Sequence, residues 1–82
     1  MDRFQLKKST HRPGWWVLTD TENLIVVRFE QHKFNETQKV SVLSDSRFNP
    51  MTSETVSSLA KIMREMADWL RSNHYNIAMP PI

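Results

Sequence analysis

The side chains with chemical capacity are few and scattered. The only histidines are His11, His32 and His74, and the chain has no cysteine. A metal site gathers ligands at short, repeated spacings, and a catalytic nucleophile needs a base held beside it. The three histidines have no such spacing; each falls in a predicted loop or element end and is read as a surface residue. A single glycine, Gly14, excludes a glycine-rich phosphate cradle and a dinucleotide fingerprint. No nucleophile elbow or phosphate loop is present, so the sequence predicts no catalytic residue, no metal ligand and no cofactor.

Other marks have plain structural readings. Asn35-Glu36-Thr37 matches the glycosylation triplet but reads as a turn, because no signal peptide precedes it. Met63 and Met66 stand at helical spacing and read as core filler. The tail Met79-Pro80-Pro81-Ile82 reads as an unstructured end rather than a polyproline recognition segment. No run of about 18 apolar residues exists to cross a membrane, and the missing cysteines fit a reducing compartment, so a cytoplasmic location is expected.

These residues must be carried by a small fold. At 82 residues a chain buries roughly 60 to 65% of its unfolded surface, enough for one domain, 1–82, around one core. Hydrophobic residues at 39% and charged residues at 24% suit a folded domain rather than a disordered one.

Arg3 to Ser9 alternates, with Phe4 and Leu6 on one side, and Pro13-Gly14 ends it with a turn. Trp15 to Thr19 and Leu24 to Glu30 are β-branched and aromatic runs joined by Asp20-Thr21-Glu22-Asn23, a hairpin with a loop of two or four residues. Centred on Thr21 and Glu22, it pairs Leu18 with Ile25 and Trp16 with Val27. Lys39 to Leu43 is a last strand, giving three or four strands according to how far the third continues.

From Ser53 to Asn73, Val56, Leu59, Ala60, Met63, Met66, Ala67 and Leu70 form the stripe of an amphipathic helix, which Ile62 and Trp69 widen. Thr52 or Ser53 caps its start, Pro50 precedes it, and Asn73 suits a left-handed cap. Lys61 with Glu65 and Arg64 with Asp68 stand at i,i+4 spacing on the opposite face. Residues 76–82 read as a flexible tail. The expected fold is α+β: a three- or four-stranded antiparallel sheet, then one long C-terminal helix packed on one face.

One helix covers only one face of a sheet, so the other should alternate to polar. Here it does not. With Trp16, Leu18, Ile25, Val27 and Phe29 beneath the helix, the same strands present Trp15, Val17, Leu24, Val26 and Arg28 outward, with Arg28 in reach of the Trp15 ring. Contiguous apolar surface of this kind marks an interface. Either the 30–39 connection with Phe34 or the tail with Tyr75, Ile77 and Met79 covers it, or a protein partner or second copy does. The expected function is therefore a non-enzymatic protein-binding or homodimerising module.

Net charge is +2, yet residues 1–16 hold Arg3, Lys7, Lys8 and Arg12 against Asp2 alone. Lysines guard an edge strand against stray pairing, and the same four residues are candidate contacts for an anionic partner.

The order of three strands then a helix resembles the arm-binding domains of phage integrases, whose sheet enters a groove. Toward such a role this chain offers Arg28 with Arg3, Gln5 and Lys7 of the first strand, while the central positions are Trp and Val. That resemblance implies a nucleic-acid-binding sheet, the alternative function. The Cys-free, motif-free chain, with phrases such as Trp15 to Asp20 and Phe34 to Gln38, also looks like small phage and prophage proteins. This implies an accessory role in binding or inhibiting a host factor.

Overall fold

Alternating apolar residues turn one side of three successive strands into a wall, and the long helix closes over it. The computed structural model describes residues 3–49 and 52–80; Asp2, Pro50, Pro81 and Ile82 lie outside them. In chain order the elements are β1 (Phe4–Lys8), β2 (Trp15–Asp20), β3 (Ile25–Glu30), α1 (Phe34–Thr37), β4 (Lys39–Val42), α2 (Ser53–Asn73) and α3 (Tyr75–Ala78). The strands form one antiparallel sheet in the order β1-β2-β3-β4. This is an α+β fold with a four-stranded sheet followed by a long helix.

The core joins Leu18, Ile25, Val27 and Phe29 of the sheet to Ile62, Met66 and Leu70 of α2. Phe34 of α1, Phe48 of the β4–α2 connection and Ala78 of α3 complete it. The helix stripe centres on Ile62, Met66 and Leu70, one residue every four, while Val56 and Ala60 are exposed. The N–H of Thr52 donates to Thr55 Oγ1 at 2.8 Å, fixing the start of α2. At its other end the helix runs through Asn73, and His74 follows with φ −140°, so no left-handed cap forms.

Both turns between the first strands are determined by local chemistry. In Arg12-Pro13-Gly14-Trp15, the Trp15 N–H donates to the Arg12 carbonyl at 3.1 Å and Gly14 has φ +81°. Proline and then a left-handed glycine at the two central positions are what a type II turn requires. The β2–β3 loop has four residues, because Asp20 accepts hydrogen bonds from the N–H groups of Glu22 and Asn23, each at 3.0 Å. Leu24 then takes φ +56°.

The register is consequently two residues from the predicted one: Leu18 faces Val27 and Trp16 faces Phe29. A slip of two leaves every side chain on its expected face. Leu24 is the exception, since its left-handed backbone takes it out of the strand, which begins at Ile25.

Neither segment expected to cover the outer face does so. Phe34 packs edge-on against Phe29 with ring centroids 5.1 Å apart, on the helix side. Asn35-Glu36-Thr37 is part of α1 rather than a bare turn. The tail is not free over 76–78: α3 buries Ala78, Ile77 and Met79 pack on the core, and the Ile77 carbonyl accepts from the His32 N–H at 2.7 Å. No helix among the described residues is long and apolar enough to cross a membrane.

Candidate functional site

Two places hold charged groups in quantity, and they differ in how those charges are met. The first is at the hairpin end, where Asp20 is fully buried on the helix side of the sheet. Its Oδ2 accepts from Arg3 Nε at 3.1 Å, Arg3 Nη2 at 2.9 Å and Asn23 Nδ2 at 2.8 Å, while Oδ1 takes the two loop N–H groups. Arg3 Nη1 also donates to Glu65 Oε2 of α2 at 2.7 Å. Burial pushes the Asp20 carboxyl up, but hydrogen bonds from Arg3 and Asn23 and the Arg3 charge outweigh it and hold the group below its ordinary value. The hydrogen bond to Asp20 likewise raises the Arg3 guanidinium, against the effect of its burial.

A broad cleft of about 530 Å³ opens beside this hub, lined by Glu22, Arg47, Ser58 and Lys61 among others. It mixes both signs of charge, and Arg3 is already held by carboxylates. The hub is a strut between strand, loop and helix. Glu65, at i,i+4 from Lys61, turns to Arg3 instead, and Asp68 is 4.0 Å from Arg71 rather than paired with Arg64.

The second place is the open face of the sheet. Cross-strand pairing sets Lys7, Val17, Arg28 and Lys39 in one row across all four strands. Gln5, Thr19, Val26 and Ser41 form the next row. Beyond the cation row lies Trp15, opposite Glu30. Arg12 reaches back from its turn, where Ser9 Oγ accepts the His11 and Arg12 N–H groups at 3.3 and 3.2 Å. Its guanidinium stands 4.0 Å from the centroid of the Trp15 ring, and Lys39 Nζ stands 5.6 Å from it.

Arg28 is not on the indole; its Nη1 lies 3.4 Å from Ser41 Oγ. Ser9, Arg12, Trp15, Arg28 and Lys39 converge on a cleft of about 50 Å³, room for only one or two waters.

Among the described residues, none of Lys7, Arg12, Arg28 and Lys39 forms an ion pair. Among the described strand residues Glu30 is the carboxylate on this face, and it pairs with Lys33 at 3.2 Å. Arg28 and Lys39 are directly opposite one another, an arrangement of like charges that costs stability.

The structure thus divides the candidate residues. Trp15, Val17, Val26 and Arg28 share the open face, with Val26 only 7% exposed between its neighbours. Leu24 does not join them. Of the basic candidates, Lys7 and Arg12 are on this face. Arg3 is bound at the hub, and Lys8 sits over Trp16 at 5.8 Å on the helix side. Lys39, Thr19 and Ser41 complete the surface and were not singled out from sequence. Compared with protein-family models, curated proteins and solved structures, the chain matches none.

Proposed function

We propose that this chain is a non-enzymatic binding module that takes an acidic macromolecular partner on the open face of its sheet. The observation that carries the reading is the row Lys7, Arg28 and Lys39, with Arg12 on Trp15, unneutralised within the described fold. Such a cluster creates a local positive field that steers an anionic partner and rewards its docking. A second copy of the chain fits less well. A two-fold interface apposes the same patch to itself, so four cations would meet four cations.

A second reading, an apolar protein contact centred on Trp15 and Val17, is favoured by the apolar surface those half-buried side chains retain. Salt separates the two, because exposed charge contacts are screened and apolar ones are not.

Retention on immobilised heparin tests the proposal. The native chain should elute only in added salt, and Arg28→Glu/Lys39→Glu should flow through while keeping its circular dichroism. Lys61→Glu/Arg64→Glu makes the same change in net charge on α2 and should stay retained. Equal retention of all three would end the proposal.

A further inference from the structure

We infer that the partner is a single-stranded nucleic acid, crossing the sheet along the cation row and stacking one base on Trp15. This rests on the sheet-face reading above and names its occupant. Three features on one surface support it. Lys7, Arg28 and Lys39 form a track across four strands, spanning about 14 Å at the usual strand spacing. A backbone of phosphates is matched by such a line of point charges. Lysine supplies half of the four cations, a residue favoured at phosphates but depleted from protein–protein contacts.

Beside the track lies the half-buried Trp15 indole, with the Arg12 guanidinium 4.0 Å and Lys39 Nζ 5.6 Å from its centroid. Arg12 belongs to an exposed turn, so lifting it frees the ring for a base, and its guanidinium can follow onto a phosphate. Base–aromatic stacking is the main contact of sheet surfaces that bind single strands. Gln5 and Thr19, next to the track, make no side-chain hydrogen bond within the described fold and remain available to base edges.

Duplex DNA suits the face poorly. Four strands set broadside are wider than the major groove, at about 12 Å, and paired bases keep their faces stacked away from an indole on the sheet surface.

The test is fluorescence anisotropy with the full chain and three labelled probes: a dT12 oligonucleotide, a 12-base-pair duplex and a poly-glutamate peptide. Binding of dT12 in preference to both others is expected, with a log–log salt slope of about −3 for four phosphate contacts. Trp15→Leu should weaken dT12 roughly 5- to 150-fold, and Trp15→Phe should restore most of the loss. Lys39→Gln should reduce the slope by about 0.7. Circular dichroism checks that each variant is folded.

The inference is overturned if dT12 fails to bind while poly-glutamate does, which leaves the sheet-face reading standing with a protein partner. Duplex binding as tight as dT12, or dT12 binding indifferent to Trp15→Leu and Lys39→Gln, overturns it as well. If no probe binds and charge reversal leaves heparin retention unchanged, both readings fall.

Discussion

The two faces of one sheet meet their charges in opposite ways. On the helix side Asp20 is fully buried and receives five hydrogen bonds, and no buried side-chain polar atom among the described residues lacks a partner. On the open side of the same sheet, Arg28 and Lys39 confront one another with no carboxylate between them. A buried charge without a partner would unfold a domain this small, so the inner face must be complete. Solvent lets the outer face stay incomplete, and what a fold leaves uncompensated is open to a ligand.

The largest expected effect is on packing. Phe29→Ala empties the core between α1 and α2 and should cost about 3–5 kcal/mol in urea unfolding, whereas Val17→Thr on the other face should cost less than about 1 kcal/mol. Equal costs would mean that both faces serve as core.

Next comes the hub. Arg3→Met strands the Asp20 carboxylate in the interior and should cost about 3 kcal/mol at neutral pH. The native chain has its own acid signature. Because Asp20 is held below its ordinary value, the unfolded state binds the proton first as pH falls. Its contribution is therefore full above the unfolded value of about 3.9 and is lost as pH falls through the lower folded value. Thermal melts from pH 6 to 2 should show this loss, and Asp20→Asn should remove that component.

A smaller cost is expected at Gly14→Ala. Nothing lies within 4 Å of the added methyl, so the penalty is the left-handed backbone alone, about 1–2 kcal/mol, and Arg12 should shift on Trp15. The smallest effect has the opposite sign. Lys39→Glu replaces a repulsive cross-strand pair with an attractive one and should stabilise the fold by about 0.2–1 kcal/mol, while reducing heparin retention. A variant that is both more stable and less retained would show that the open face gives up stability for binding.

Alternation and helical periodicity were enough to read the α+β layout, because Phe4 and Leu6, Trp16 and Leu18, and Ile25, Val27 and Phe29 recur at two, and Leu59, Met63, Met66 and Leu70 at three and four. The open face was legible in part for the same reason: Trp15, Val17, Val26 and Arg28 follow from strand parity alone. Leu24 was misplaced because its left-handed turn depends on a side chain four residues earlier, Asp20, capping the loop. Lys39 was missed because its place beside Arg28 depends on the length of the β3–β4 connection, which α1 shortens. The true role of Arg3 was invisible, since its partners lie 17 and 62 residues away.

That last separation bears on the order of assembly. The four strands pair each with its neighbour in the chain, so the sheet can form from local contacts, while the bond from Arg3 to Glu65 must await a helix 62 residues further on. Until then Asp20 holds Arg3 without the helix, and the hub acts as a late latch rather than a nucleus. A late contact is broken on the way out, not made on the way in: Glu65→Gln should speed unfolding and leave the refolding limb of the chevron where it was.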